Sequence, residues 1–226
     1  MSSLIGFISI ASVVLLTFFI GLRLPKISNI LFVALIIRVI FLLLGNYFIT
    51  LPDSTADAQT FEEEAWHMAR EGYFYVLSQF KGPDPRFISW LIAIPYSLLG
   101  RSLLMAQAIS LFFGIGSVFL GWLLANKLWN IDIANKVGWT MALFPSLVLY
   151  SVLVMRESYV VFFLLLALYG IAAWVKTNNY KSIILTMLGF GGGTFFHGAM
   201  IIGGMVFLLV LGVVNLKKIL RLLINA

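Results

Sequence analysis

Residues 28–49 read SNILFVALIIRVIFLLLGNYFI, and Arg38 is the only charged residue among them. The hydrocarbon core of a bilayer is about 30 Å thick and needs about 20 apolar residues in a helix, so this stretch predicts a membrane span. The same pattern recurs along the chain and predicts seven spans, at residues 4–22, 28–49, 102–125, 137–154, 158–175, 182–196 and 199–215. The sequence therefore predicts an all-α fold, a polytopic membrane helix bundle that forms a single integral membrane domain over residues 1–226.

Composition supports this prediction over the whole chain. Of 226 residues, 62% are apolar and 11% are charged, and the mean hydropathy is +1.04. A soluble domain is about 45 to 50% apolar and about 25% charged, so a water-soluble globule is excluded. The chain has no cysteine, which excludes disulfides, thiolate metal sites and a cysteine nucleophile. The net charge of +6 comes from lysines and arginines scattered singly, which is typical of membrane topology and not of nucleic-acid binding.

Loop lysines and arginines predict the orientation, because cytoplasmic loops carry an excess of them. One set of loops holds nine, Arg23, Lys26, Lys127, Lys136, Lys176, Lys181, Lys217, Lys218 and Arg221, and the opposite set holds five, Arg70, Lys81, Arg86, Arg101 and Arg156. The first set is therefore expected in the cytoplasm, as in a bacterial inner membrane protein whose other face meets the periplasm or exterior. The first span lacks a charged n-region and a cleavage site, so we interpret it as a retained helix.

Acidic residues gather in one external stretch, residues 51–100, which we name the acidic segment. It holds seven of the nine acidic residues, namely Asp53, Asp57, Glu62, Glu63, Glu64, Glu71 and Asp84. Within residues 54–71, Phe61, Ala65 and Met68 recur at helical spacing while Glu62 and its charged neighbours fall on other faces. This pattern predicts a helix that lies along the membrane surface and stops at Gly72.

A second helix of the acidic segment is predicted at residues 87–99. The stretch is apolar but too short to cross a bilayer, and it contains Pro95. We expect an interfacial or re-entrant helix that ends at Gly100.

Asp57 begins the predicted surface helix, just beyond the second span. It is either an N-terminal cap, which accepts backbone N–H bonds, or a general base or ligand of a divalent cation at the membrane exit. Asp53, four residues earlier, competes for either role.

Three further polar residues lie at or within predicted spans. Glu157 is either a solvated partner of Arg156 or a second carboxylate near Asp57. Arg38 either packs helices, extends to a headgroup or binds a lipid phosphate. His197 is either a packing residue or a hydrogen-bond donor to a phosphate.

Four segments follow one another along the chain: residues 34–40 with Arg38; residues 57–65 followed by Met68 and Gly72; residues 90–102; and residues 145–151 followed by Arg156, Glu157 and Ser158. The second has an aspartate, an aromatic residue four positions later, an alanine eight positions later and a closing glycine. In this order they resemble the polytopic GT-C glycosyltransferases, which include protein O-mannosyltransferases and bacterial lipid A aminoarabinose transferases. The likeness covers roughly residues 30–215.

The resemblance implies transfer of a sugar, with inversion, from a polyprenyl-phosphate donor to a glycan, lipid or protein acceptor on the external face. It gives Asp57 the role of general base, or of metal ligand together with Glu157 if a divalent ion takes part. Asp53, Glu157 and His197 would bind substrate. The cations for the leaving phosphate would be Arg70, Arg86, Arg101 and Arg156.

Other classes of function stay open. The chain is alternatively a noncatalytic membrane subunit or half of a split glycosyltransferase, which would copurify with a partner that supplies further helices. A related glycan polymerase is a third reading, because residues 196–198, Phe-His-Gly, resemble those proteins too. A transporter is disfavoured, since apart from Arg38 the predicted spans hold almost no polar residue at mid-membrane depth.

Overall fold

The structure is a computed structural model that describes the backbone of residues 2–224 and the side chains of residues 3–214. Over residues 2–224 the chain forms eleven helices and no strand. They are α1 (Ser2–Arg23), α2 (Pro25–Tyr47), α3 (Asp57–Ala69), α4 (Tyr73–Ser78), α5 (Phe87–Leu99), α6 (Leu103–Leu128), α7 (Ile131–Leu143), α8 (Pro145–Tyr150), α9 (Glu157–Thr177), α10 (Tyr180–Phe196) and α11 (Met200–Ile224). The predicted all-α class is confirmed.

Four helices, α1, α2, α6 and α9, are long and apolar enough to cross a membrane. They coincide with four of the predicted spans. The prediction of seven spans is not confirmed, because α10 has only 17 residues and α11 is described with side chains only to residue 214. Lys217, Lys218 and Arg221, which contribute to the predicted orientation, lie outside the residues whose side chains are described.

The predicted span at residues 137–154 is not found as one helix, because two short helices, α7 and α8, take its place. Phe144 between them is extended, with φ −64° and ψ 118°. Proline has no N–H and disfavours helical dihedrals in the residue before it, so Pro145 ends one helix and starts another. An apolar run long enough to span is therefore divided in its middle.

Arg38 of α2 fills the place where α7 ends. It is fully buried, and its Nη1 and Nη2 atoms donate to the carbonyls of Ala142 (2.9 Å) and Met141 (3.2 Å). Nη1 also donates to Ala34 (3.1 Å), and Nε donates to Ser151 Oγ (2.9 Å). The last carbonyls of a helix lack intrahelical partners and carry partial negative charge, so the guanidinium satisfies them without a carboxylate. Of the interpretations left open by the sequence, this contact fits helix packing.

α6 lies at the centre of the bundle and contacts α1, α2, α7, α8 and α9. Leu111 and Val118 of α6 are fully buried in its core. Gly114 faces Ser151, and a Cβ atom there would collide with the serine side chain. The missing side chain therefore allows the chain after α8 to approach α6 closely.

Helices α3, α4 and α5 form a separate layer over one end of the bundle, which we name the acidic layer. α3 and α4 both pack on α5. Gly72, the N-cap of α4, and Gly100, the C-cap of α5, have φ values of +100° and +89°, which suit glycine. The predicted helix at 87–99 matches α5, and the helix predicted within 54–71 is found as α3; α4 was not predicted.

Candidate functional site

A cavity of about 220 Å³, the bundle cavity, lies between α2, α6, α8 and α9. It is lined by Arg38, Gly114, Ser117, Val118, Leu147, Tyr150, Glu157, Ser158 and Val161. Most of the surface exposed inside the cavity is apolar, and its two charged lining residues are Arg38 and Glu157. Such a cavity suits a ligand with one polar end and an apolar body.

Glu157 supplies the most unusual atom of this cavity. It is the first residue of α9, where the helix dipole favours negative charge. Its Oε2 atom is buried and accepts no hydrogen bond from any residue the structure describes. Buried polar atoms are nearly always paired, so this unpaired carboxylate oxygen at the edge of the cavity is an exception among the described residues.

Asp53 and Tyr150 lie next to the bundle cavity. The Tyr150 hydroxyl donates to Asp53 Oδ2 at 3.2 Å. The pKa of Tyr150 is raised by this hydrogen bond and further by the negative charges of Asp53 and Glu157. Both carboxylates therefore act on one hydroxyl. Asp53 also has a φ of +60°, a conformation that is uncommon for residues other than glycine and is found at functional sites.

A second cavity of about 400 Å³, the amide cavity, opens between the end of α2, α3 and the start of α6. Its lining consists of Gly45, Asn46, Thr50, Leu51, Ser54, Thr55, Ala58, Gln59, Glu62, Glu63, Arg101, Leu103, Gln107, Leu153 and Val154. Asn46 Nδ2 donates to Gln107 Oε1 at 2.7 Å, so two amides are fixed in its wall. Asn46 Nδ2 also donates to the carbonyl of Leu42 at 2.8 Å, so the Asn46 oxygen and the Gln107 NH2 group are the amide groups left for a hydroxyl-bearing ligand.

Glu62 in the wall of the amide cavity is a buried carboxylate. Arg101 donates to it through Nε (3.0 Å) and Nη2 (2.6 Å), and the Tyr96 hydroxyl donates at 2.7 Å. The hydrogen bond to Glu62 raises the pKa of Arg101, and burial together with Glu62 raises the pKa of Tyr96. The sequence predicted Glu62 on a polar face of the surface helix, and this is wrong. The Glu62 carboxylate is buried, and Arg101 and Tyr96 donate hydrogen bonds to it.

Asp57 is exposed at the first position of α3. The N-cap residue is Ala56 and no side chain caps the helix, so the capping interpretation of Asp57 is wrong. Its neighbours Ala58 and Gln59 line the amide cavity, whereas Asp57 itself does not. Asp53 accepts a hydrogen bond from Tyr150, and Tyr150 and Glu157 line the same cavity. Asp57 lies four residues after Asp53 along the chain.

The predicted phosphate-binding cations are dispersed. Arg70 pairs with Glu71 at 3.5 Å, Arg86 with Glu64 at 3.2 Å and Arg101 with Glu62. Arg156 has no carboxylate partner among the described residues; its guanidinium lies 5.5 Å from the centre of the Phe61 ring. His197 is exposed at the end of α10 and lines neither cavity. Of the four predicted arginines, Arg156 is the one that forms no ion pair with the described residues, and it directly precedes Glu157 in the sequence.

The predicted divalent metal would be held by the carboxylates of Asp57 and Glu157. Among residues 3–214, no three His, Asp or Glu side chains lie close enough together to hold a metal ion. Asp57 and Glu157 offer two carboxylates, whereas Mg²⁺ and Ca²⁺ take six or more oxygen ligands, some of them water. A metal at these residues stays a prediction.

Three cavity-lining residues were not singled out from the sequence, namely Tyr150, Asn46 and Gln107. Tyr150 lies in an apolar run, where an aromatic residue is usual, and the signal that marks it is its place shortly before Glu157. Asn46 and Gln107 lie at the ends of two spans, where an amide is rarer than an aliphatic residue.

Comparisons with protein-family models, with curated proteins and with solved structures found no match for this chain.

Proposed function

We propose that the protein is a membrane glycosyltransferase that moves a sugar from a polyprenyl-phosphate donor to an acceptor on the outer face, in the manner of GT-C enzymes. The observation that carries the proposal is the apolar bundle cavity, which is bordered by the carboxylate of Glu157 and by the Asp53–Tyr150 pair. Carboxylates next to an apolar cavity are what a lipid-borne sugar and an acceptor hydroxyl require.

The two cavities divide the donor between them in this proposal. The apolar walls of the bundle cavity, formed by Val118, Leu147 and Val161, take the first part of the prenyl chain. The amide cavity takes the sugar, whose hydroxyls pair with its amides and carboxylates. Asp53 supports this division, because Tyr150, its partner, lines the bundle cavity while Leu51 and Ser54 line the amide cavity.

The leaving phosphate needs a cation as its charge develops. Arg156 is suited to this, because it forms no ion pair among the described residues and immediately precedes Glu157. Arg38 lines the bundle cavity, but four hydrogen bonds already occupy most of its five N–H groups. In the proposal Arg156 binds the phosphate and Arg38 holds the cavity wall.

The chemical step is an in-line displacement. Asp57 takes the proton of the acceptor hydroxyl, the acceptor oxygen attacks the anomeric carbon, and the bond from that carbon to the phosphate oxygen breaks with inversion. The lipid phosphate leaves with the electron pair of that bond. Asp57 is suited to the base role because its carboxylate is exposed and makes no hydrogen bond or ion pair with other described residues. The carboxylate of Asp53, in contrast, already accepts a hydrogen bond from Tyr150.

The test uses the purified full chain in lipid nanodiscs with polyprenyl-phosphate sugars as donors. Replacing a general base typically costs about 10²- to 10⁴-fold in rate, so Asp57→Asn is expected to lose at least about a hundredfold in sugar transfer. Asp53→Asn and Glu157→Gln are expected to raise the Michaelis constant for the donor. Asp132→Asn is the matched control, because this exposed aspartate lies at the start of α7, outside both cavities.

Equal transfer by Asp57→Asn and by the unchanged chain contradicts the proposed base. If no polyprenyl-phosphate sugar is used by the unchanged chain, and a stable partner copurifies with it, the noncatalytic subunit is the better reading. Products that lengthen by repeat units indicate the glycan polymerase instead.

A further inference from the structure

A third cavity, the outer cavity, lies in the acidic layer, apart from both cavities of the proposed site. Its volume is about 470 Å³, and it is lined by Glu64, His67, Met68, Gln79, Lys81, Gly82, Asp84, Pro85, Arg86, Phe87 and Trp90. It shares no lining residue with the bundle cavity or the amide cavity. Pockets of about 300 to 1,000 Å³ suit small ligands, so this one has room for a molecule of its own.

The walls of the outer cavity are held in place by contacts that leave its interior free. Trp90 Nε1 donates to the carbonyl of Val76 at 2.8 Å, and the Trp90 ring stacks on Phe87 with centroids 5.4 Å apart. On the opposite side Glu64 pairs with Arg86 at 3.2 Å, and Asp84 accepts from the backbone N–H of Arg86 at 2.8 Å. The aromatic wall of Trp90 and Phe87 is fixed and loses little conformational entropy when a ligand binds, whereas the side chain of Arg86 is 73% exposed.

Three polar side chains of this cavity have no partner within the described part of the chain. His67, Gln79 and Lys81 line the cavity, and none of them makes a side-chain hydrogen bond or ion pair with residues 3–214. The glutamine amide and the imidazole each donate and accept, and the ammonium donates. The cavity therefore offers both kinds of hydrogen-bonding group, together with the apolar surfaces of Trp90 and Met68.

The charges of the lining distinguish between ligand classes. Lys81 and Arg86 contribute two positive charges, and Glu64 and Asp84 contribute two negative charges, so the formal charge of the cavity is zero with His67 neutral. A phosphate or another anion gains no net attraction from such a lining. A neutral molecule with many hydroxyl groups and apolar C–H faces matches it, because it uses donors, acceptors and apolar surfaces at once.

We propose that the outer cavity binds neutral saccharide units. It rests on the proposed function only in giving these units a role, that of a glycan acceptor. Of the acceptor classes left open by the sequence, glycan is the one this cavity favours over lipid and protein.

The test measures binding without any donor, in the purified full chain in nanodiscs free of sugar-based detergents. The probes are cellobiose, maltose and mannobiose, and the measurement is saturation-transfer NMR of the disaccharide together with the change in tryptophan fluorescence. At least one disaccharide is expected to bind. Loss of two hydrogen bonds costs about tenfold in affinity, so His67→Ala/Gln79→Ala is expected to weaken that binding by about this factor.

Lys81→Ala is expected to weaken binding about threefold, since one hydrogen bond is lost. Its matched control is Lys136→Ala, which removes an exposed lysine of α7 and is expected to leave binding unchanged. Unchanged melting temperatures check that the variants fold. Binding is measured without a donor, so a failure of the transfer proposal leaves this inference intact.

Three results overturn the inference. The first is that no neutral disaccharide binds at millimolar concentration. The second is that a disaccharide binds equally well to His67→Ala/Gln79→Ala. The third is that inorganic phosphate displaces the disaccharide and that Lys81→Ala weakens the binding of phosphate. That result would make the outer cavity an anion site.

Discussion

Arg38 and Arg101 lie in two regions that bind a guanidinium in different ways, one with neutral oxygen atoms and the other with a carboxylate. Arg38 is wholly buried in the bundle and is held by three carbonyls and a serine hydroxyl. The side chain of Arg101 is 45% exposed at the edge of the acidic layer and pairs with Glu62, which is 6% exposed. A carboxylate beside Arg38 would add a second desolvation cost, whereas the broken end of α7 supplies acceptors that are already there. The comparison teaches that a helix break in the apolar interior can replace a counter-ion.

The largest effect is expected at Arg38, because Arg38→Met leaves the carbonyls of Met141 and Ala142 buried without partners. Each unsatisfied group costs about 1 to 3 kcal/mol, so the free energy of unfolding in lipid is expected to fall by about 3 to 5 kcal/mol. The measurement is denaturant unfolding in bicelles. Arg23→Met is the matched control, since Arg23 lies at the end of α1 over the Phe19 ring and is worth about 1 kcal/mol or less. Equal losses in the two variants would falsify the account of Arg38.

A smaller loss is expected at Glu62, because its partner Arg101 reaches water. Glu62→Gln keeps a side chain that can accept from Tyr96 but removes the charge, and the free energy of unfolding is expected to fall by about 1 to 2 kcal/mol. The neighbouring Glu63→Gln is the control: Glu63 is exposed and bonded only to Gln59, so its change is expected within about 0.5 kcal/mol. A loss at Glu62 as large as that at Arg38 would contradict the contrast between the two regions.

Tyr96 makes the comparison depend on pH. Its pKa is raised above the ordinary value of 10.0 by burial and by Glu62, so the folded chain keeps the hydroxyl protonated where the unfolded chain ionises it. The associated stability is complete below about pH 10 and is lost as the pH rises above that value. Tyr96→Phe is expected to cost about 1 kcal/mol at pH 8 and to make the fall of stability above about pH 10 less steep. Parallel pH curves for the two proteins count against this assignment.

The smallest effect on stability is expected at the Asp53–Tyr150 bond, which is exposed. Tyr150→Phe is expected to leave the melting temperature unchanged while altering the Michaelis constant for a polyprenyl-phosphate donor. Tyr47→Phe, an exposed tyrosine at the end of α2, is the control for both measurements. A melting temperature that falls with Tyr150→Phe assigns the bond to the fold and not to the site.

Much of the fold could be predicted because its signals are local. The apolar runs of α1, α2, α6 and α9 and the bounds of α5 are readable from hydropathy and from glycine. The break at Phe144 has a local signal too, Pro145, but an average over an apolar run hides a single proline. The sequence therefore predicts where apolar surface lies better than it predicts where a helix stops.

The site was less predictable because its contacts join distant parts of the chain. Glu62 is buried by Arg101, which lies 39 residues further on, and no periodicity within α3 carries that information. Asp53 meets Tyr150 across 97 residues, so the sequence could name the aspartate but not its partner. Glu157 was singled out as one of two acids outside the acidic segment. Its open oxygen became visible only with α6 and α8 around it.

The bonds of Arg38 also set an order of events at the ribosome. Ala142 follows Arg38 by 104 residues, so α2 emerges long before the carbonyls that receive its guanidinium exist. Translation at about 5 to 20 residues per second makes that interval roughly 5 to 20 s. During this time a lone arginine in an apolar helix costs about 2.5 to 3.5 kcal/mol of insertion free energy. The many Leu, Ile, Val and Phe residues of α2 outweigh this cost, so α2 can insert first. Arg38 gains its hydrogen bonds to Met141 and Ala142 only when α7 arrives.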